Sequence, residues 1–204
     1  MKVVTYLGIA IDNNLKYANH VEKLTTKLSQ VNGAVHRAVG SFDFHAAILF
    51  YNSFIYSLIN YGIETWGGRL MTYECNEFND AVERVTRNLF RFFLRSDDVI
   101  YIRKELNLMT PVNIFKFRVC LLYYKITYCN FLPNVSFETR TVNYSLRGCT
   151  ELALPIPNNN TMKINYGYSV PLIWNSLPAE VRSAPSLTEF ANGLSKYLLQ
   201  NQLN

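Results

Sequence analysis

The sequence lacks the cysteine spacing of a metal-binding module. Its four cysteines, Cys75, Cys120, Cys129 and Cys149, are far apart, and none belongs to a C-x-x-C pair or a Cys/His cluster. Structural zinc sites need ligands at short, regular spacing, so we predict no metal and no cofactor in this chain. Unpaired cysteines are typical of a reducing compartment, and we therefore expect buried free thiols and an intracellular location, nuclear or cytoplasmic.

Motifs for nucleotide binding and catalysis are also missing. Neither G-x-x-x-x-G-K-[ST] nor G-x-G-x-x-G occurs, and His20, His36 and His45 have no recognisable spacing from a nucleophile. Polymerases use paired carboxylates to hold two metal ions, and Asp97-Asp98 is such a pair. It follows an apolar helix rather than lying between two strands, so we predict a solvated turn and no catalytic residue.

Charge is absent from Ala46 to Ile63, a stretch close to the length that spans a membrane. Asn52, Ser53 and Asn60 interrupt it, and each would need a hydrogen-bond partner in lipid. We therefore predict a buried core helix and no membrane association.

Aromatic and apolar residues are abundant. The chain has 204 residues, is 49% hydrophobic and contains 14 Tyr and 13 Phe, which is enough for a substantial core. Its net charge of +5 and pI near 9.0 are compatible with a polyanionic partner but do not require one.

The N-terminal stretch changes from strand to helix character. Val3 to Ile11 is rich in β-branched residues and predicts a strand or a hairpin, with Gly8 at a bulge or a close backbone approach. The segment Asp12-Asn13-Asn14 predicts a turn. A long amphipathic helix follows, with Asn19 as its expected N-cap and with Lys23 and Lys27 outside its apolar face.

Apolar periodicity and helix-start signals predict a mostly α fold: a helical bundle with a short N-terminal strand or hairpin and a small irregular or β segment near residues 134–167. Thr110-Pro111 is a typical helix start, and Ser186 with Glu189 is a capping box.

We predict three segments, 1–18, 19–132 and 133–204. The further predicted helices are Phe44–Asn60, Glu74–Arg95, Val99–Leu106, Pro111–Cys129, Ser169–Leu177, Pro178–Arg182 and Leu187–Leu199. The predicted extended stretches are Thr139–Leu146 and Leu152–Pro155.

Four arginines form a row on the helix predicted over Glu74–Arg95. Arg84, Arg87, Arg91 and Arg95 fall within an arc of roughly 80° at about 100° per residue. The opposite, apolar face comprises Phe78, Val82, Val85, Leu89, Phe92 and Phe93. Arginine matches phosphate geometry, so the row is a candidate for nucleic-acid backbone contact, and the alternative is a solvated face with Asp80, Asp97 and Asp98 as neighbours.

Three patches of the sequence resemble one protein family. They are Tyr6-Leu7-Gly8-Ile9-Ala10-Ile11-Asp12, Tyr61-Gly62 followed by Trp66-Gly67, and Trp174-Asn175-Ser176-Leu177-Pro178. In this order they resemble the C-terminal region of non-LTR (LINE-type) retrotransposon reverse transcriptases.

The resemblance implies roles for particular residues. Tyr6, Leu7 and Gly8 would form the primer grip at the end of the palm, and residues 19–132 would form a thumb-like domain. Trp66 and Trp174 match family positions and lie in apolar surroundings, so they would be structural and we expect both to be largely buried. The implied backbone-binding residues are Lys23, Lys27, Arg84, Arg87, Arg91 and Arg95.

The resemblance also implies partners. An RNA–DNA or RNA template–primer would be bound independently of sequence, alongside the upstream palm and fingers. The parent enzyme would be an RNA-directed DNA polymerase that uses Mg²⁺. This chain lacks the catalytic aspartates, so we predict no polymerase activity on its own. The alternative function is a host-used helical protein-interaction module without enzymatic activity.

Overall fold

The computed structural model describes residues 3–132, 137–139 and 151–202. The fold is mostly helical with a short N-terminal β-hairpin, which confirms the predicted fold class. The helices are α1 Ala18–Ala38, α2 Phe44–Phe50, α3 Ser57–Asn60, α4 Ile63–Trp66, α5 Gly68–Thr72, α6 Asn76–Leu94, α7 Val99–Leu106, α8 Pro111–Tyr128, α9 Asn160–Ile164, α10 Tyr166–Asn175, α11 Ala179–Arg182 and α12 Leu187–Asn201.

The hairpin pairs β1 (Val3–Tyr6) with β2 (Ile9–Asp12) in antiparallel register, and Tyr6 opposite Ile9 closes the ladder. Leu7 (φ 44°) and Gly8 (φ 79°) form the turn. Positive φ at both positions is the two-residue geometry that matches the twist of paired strands. Gly8 therefore makes a turn rather than the expected bulge.

Helix α1 begins before the expected cap. Tyr17, in the left-handed conformation, is the N-cap, and Asn19 lies inside the helix. The prediction of Asn19 was wrong because the preceding loop is already organised. The Asp12 carboxylate accepts hydrogen bonds from the backbone N–H groups of Asn14 (3.1 Å) and Lys16 (3.0 Å), so the chain turns into the helix early.

Helices α1 and α6 pack side by side in parallel. Val21 near the start of α1 lines a small cavity together with Phe78 near the start of α6. Towards the other end, the Asn88 amide donates to Asn32 Oδ1 (2.9 Å) and lies 3.1 Å from His36 Nε2. The two C-terminal ends therefore lie together, where basic side chains offset the aligned helix dipoles.

The uncharged segment is only half buried. A π-helical segment, Tyr51–Tyr56, joins α2 to α3. Ala47, Tyr51, Ile55 and Ile59 face the core, whereas Leu49 (52% exposed) and Phe54 (53% exposed) face outward, so full burial was a wrong expectation. Residues four apart stay aligned here because a π-helical turn contains more residues than an α-helical turn and offsets its drift.

No single helix in the described ranges is long and apolar enough to cross a membrane. One bent pair, Phe44–Asn60 with Ile63–Thr72, meets the length and composition criteria together, with a bend of 43°.

One hydrophobic core extends from Tyr17 to Leu198 and includes α10 and α12. Trp66 is fully buried and Trp174 is 3% exposed, so the predicted burial of both tryptophans is confirmed. Trp174 packs against Tyr123 and Phe190, with ring centroids 4.5 and 5.6 Å apart. Helix α8, which carries Tyr123, thus joins the C-terminal helices to the rest of the core.

The C-terminal segment contains one β-bridge, between Thr139 and Leu152, in its described part. The Asn175 side chain pairs with the backbone of Leu152 through two 2.9 Å hydrogen bonds, in the manner of a neighbouring strand. Most of the stretch predicted over Thr139–Leu146 lies outside the described residues. Helix α10 starts at Tyr166, three residues before the expected Ser169, because the Asn165 side chain caps it.

The prediction of buried free thiols is correct for two of the described cysteines and wrong for a third. Cys75 and Cys120 are buried free thiols, and burial raises the pKa of Cys120 to about 12. Cys129 is exposed, since it follows the last turn of α8. Cys149 lies outside the described residues.

Candidate nucleic-acid interface

The hairpin tip projects into solvent. Tyr6 is 66% exposed and Leu7 is 70% exposed. The hydroxyl of Tyr61 donates a 2.7 Å hydrogen bond to the Leu7 carbonyl, and a Cβ added at Gly8 would lie 3.6 Å from the Tyr61 ring. The exposed tip is therefore held against the helices at one defined point.

The base of the hairpin is held by buried rings. The Ala10 N–H donates to His20 Nδ1 at 3.4 Å, and the His20 ring lies edge-on to Trp66 at 5.5 Å. Trp66 Nε1 in turn donates to the Tyr61 carbonyl at 3.1 Å. Tyr61 thus connects the hairpin turn to the Trp66 cluster.

His20 is neutral in this environment. Burial is the main cause that lowers its pKa to about 4, and the nearby positive charges of Lys23 and Lys27 lower it further. A neutral imidazole with Nδ1 as acceptor suits a packing role.

Helix α6 is unbroken from Asn76 to Leu94, so Arg84, Arg87 and Arg91 share one face. At about 100° per residue they fall within an arc of roughly 60°. Arg95 is the C-cap, with φ 52°, and therefore lies beyond the helix rather than on it. The predicted row consists of three helical arginines and one in the following turn.

The guanidinium groups of the row keep free donors. Arg87 Nε donates to the Asp97 carbonyl at 3.0 Å, which leaves its two terminal nitrogens. Asp80, which lies four residues before Arg84 and was named as a neighbour of the row, forms no ion pair with Arg84. Within the described residues the ion pairs are Arg103–Glu83 and Arg118–Glu64.

The predicted apolar face of α6 was wrong at Phe92. This residue is 61% exposed, whereas Phe90, which the pattern omitted, is fully buried. Phe92 lies one turn beyond Asn88, where α6 meets His36, and α1 ends two residues after His36. Phe92 is thus exposed near the level at which α1 ends.

Lys23 and Lys27 are exposed but do not extend the arginine row. Asn32 marks the side of α1 that faces α6. At about 100° per residue Lys23 lies roughly 180° around the helix from Asn32. The two lysines therefore lie on the side of α1 that faces away from α6, which carries the arginine row.

Asp97 and Asp98 lie in an exposed turn, as predicted. Sequence reasoning missed the role of Asp98, whose carboxylate accepts a 2.9 Å hydrogen bond from the Ile100 N–H and caps α7. An Asp just before an apolar helix is the signal for such a cap. Among the residues described, no three His, Cys, Asp or Glu side chains are grouped to hold a metal ion.

Neither a protein-family model nor a curated protein or solved structure gives a significant match to this chain. Functional inference therefore depends on the resemblance in the sequence and on the geometry above.

Proposed function

We propose that this chain is the C-terminal region of a non-LTR retrotransposon reverse transcriptase and contributes template–primer binding. The supporting observation is the hydrogen bond from Tyr61 to Leu7, residues 54 positions apart. Each belongs to a separate patch of family resemblance, Tyr6-Leu7-Gly8 and Tyr61-Gly62. Two patches that resemble one family in order along the chain also meet in space.

The geometry suits a binding role. The rigidly held hairpin tip presents Tyr6 and Leu7 as a primer grip, and the helices behind it act as the thumb. Arg84, Arg87, Arg91 and Arg95 contact phosphates of the nucleic-acid backbone without reading bases. The upstream palm and fingers supply the aspartates and Mg²⁺, so this chain holds the template–primer and does not polymerise by itself.

Fluorescence anisotropy with a labelled RNA–DNA hybrid tests the proposal. The double variant Arg87→Gln, Arg91→Gln should bind more weakly, and its salt slope should fall by roughly 0.9 per lost phosphate contact, using the B-DNA value. Lys163→Gln with Lys196→Gln removes two charges elsewhere and should leave both quantities nearly unchanged. Lys23→Gln with Lys27→Gln tests the other basic group separately. Unchanged affinity and slope in the folded arginine variant would contradict backbone contact by the row.

A second candidate is a helical protein-interaction module. All four residues of β1 are exposed, including Val3, Val4 and Tyr6, and an uncovered apolar strand edge is a common protein-binding surface. Binding through this edge should persist at moderate salt, whereas phosphate contacts weaken steeply. The salt dependence of any partner's affinity distinguishes the two functions.

A further inference from the structure

Phe92 is an aromatic side chain exposed to solvent next to Arg91, near the C-terminal end of α6. It is 61% exposed, while Phe78, Leu89 and Phe90 of the same helix are at most 1% exposed. It follows Arg91 directly and lies three residues before Arg95. The ring is therefore only partly packed within this chain and is accessible to a ligand.

One face of the Phe92 ring is already occupied. The guanidinium carbon of Arg91 lies 4.7 Å from the ring centroid. Arg91 Nε is shielded from solvent and has no hydrogen-bond partner, so the guanidinium is positioned by the ring rather than by a carboxylate. Phe92 is nevertheless 61% exposed, so much of its side chain is open to a planar group.

The surroundings favour an anionic ligand. Arg87 keeps its terminal nitrogens, and Arg95 is exposed in the turn. Two carboxylates follow Arg95 in the chain, those of Asp97 and Asp98, and one Asp98 oxygen is engaged in capping α7. The arginines outnumber these two carboxylates, so phosphates on either side of a stacked group would meet net positive charge.

We propose that Phe92, with Arg87, Arg91 and Arg95, binds single-stranded nucleic acid by stacking one base on the open ring face. Sequence-tolerant single-strand sites combine this same pair of features, a stacking ring and a basic surface along the backbone. Bases inside a duplex are stacked on both faces and are not available to the ring. The inference rests on the proposed nucleic-acid binding and specifies an unpaired strand at this end of α6.

The experiment compares a labelled oligouridine of about 12 nucleotides, within the range of single-strand site sizes, with an RNA–DNA hybrid of equal length. Phe92→Leu retains an apolar side chain but loses the aromatic face, and it should weaken oligouridine binding by about 5- to 150-fold, as expected for one stacked base. Hybrid binding should stay within about twofold. Phe54→Leu removes another exposed phenyl ring, 53% exposed, elsewhere on the chain and should change neither affinity. A 2-aminopurine base in the single strand should be quenched by the wild-type chain and not by Phe92→Leu.

The outcomes separate this inference from the proposed function. If Phe92→Leu binds oligouridine as well as the wild type while Arg87→Gln with Arg91→Gln weakens it, the arginine contacts stand and the stacking site is wrong. If the wild type binds the hybrid but not oligouridine, the stacking site is wrong and the proposed function stands. If neither nucleic acid binds, both proposals fail. If Phe92→Leu abolishes self-association in sedimentation without changing RNA affinity, the ring is a protein contact and the inference is overturned.

Discussion

The Tyr61 hydroxyl donates a 2.7 Å hydrogen bond to the carbonyl of Leu7, at the tip of the hairpin. Leu7 is a non-glycine residue in the left-handed region. Such a conformation is costly for a branched side chain unless the surrounding contacts hold it. Tyr61 supplies the contact from the helical side, and through its own carbonyl it is bonded to Trp66.

Replacing Tyr61 with Phe should loosen the hairpin with a small effect on global stability. The bond lies at the surface, where water replaces it, so the loss should be near the lower end of about 0.5–1.5 kcal/mol. Hydrogen exchange should show faster exchange of the β1–β2 amides. Tyr101→Phe, at an exposed tyrosine, is the control. Unchanged hairpin exchange would show that Tyr61 does not hold the turn.

Replacing Gly68 with Ala should destabilise the fold. A Cβ at Gly68 would lie 2.2 Å from the Ile164 carbonyl oxygen, so α5 and α9 would have to move apart. Overpacking of this kind typically costs about 1–3 kcal/mol in urea unfolding. Gly40→Ala is the matched control, because a Cβ at Gly40 meets nothing within 4 Å. Equal stability of the two variants would mean that the α5–α9 contact is not close.

Stability should fall as the pH is lowered from 6.5 towards 4 because of His20. Its pKa is about 4 in the folded chain and 6.5 when unfolded, so in this window only the unfolded chain takes up the proton. The free energy of unfolding should then decrease by up to about 1.4 kcal/mol per pH unit, with no contribution from His20 above pH 7. Urea titrations at several pH values between 5 and 7 measure how the free energy of unfolding changes with pH.

His20→Gln should remove this pH dependence, since glutamine does not titrate. His45→Gln, at an exposed histidine, should retain it. The interpretation fails if the wild-type stability is flat over the window, or if His20→Gln keeps the same slope.

Asp98 should behave as a helix cap and not as a catalyst. Asp98→Ala should lower the free energy of unfolding by about 1 kcal/mol, and Asp98→Asn, which can still accept from the Ile100 N–H, should lower it less.

With primer–template, Mg²⁺ and nucleotides, the purified chain should incorporate nothing above background. Incorporation that Asp97→Ala and Asp98→Ala abolished would assign these residues a catalytic role.

Local signals in the sequence determined much of the secondary structure. Thr110 caps α8 through a hydrogen bond from the Asn113 N–H, with Pro111 at the first helical position. Ser186 caps α12, although Glu189 accepts from the Ser186 hydroxyl rather than from the backbone. These two helix starts are predictable because their hydrogen bonds join residues within one turn of each other. The burial of Trp66 and Trp174 also followed from their apolar surroundings.

Tertiary structure decided which apolar faces are covered and which distant residues meet. Periodicity places Phe92 on the apolar side of α6, but the folded chain leaves it 61% exposed. The segment from Phe44 to Asn60 is apolar nearly all round in sequence, yet packing covers only one side of it. The Tyr61–Leu7 bond joins positions 54 apart, and no local pattern encodes such a pair. A sequence period specifies the faces of each helix, whereas the neighbour that covers a face is set by the packing of the whole chain.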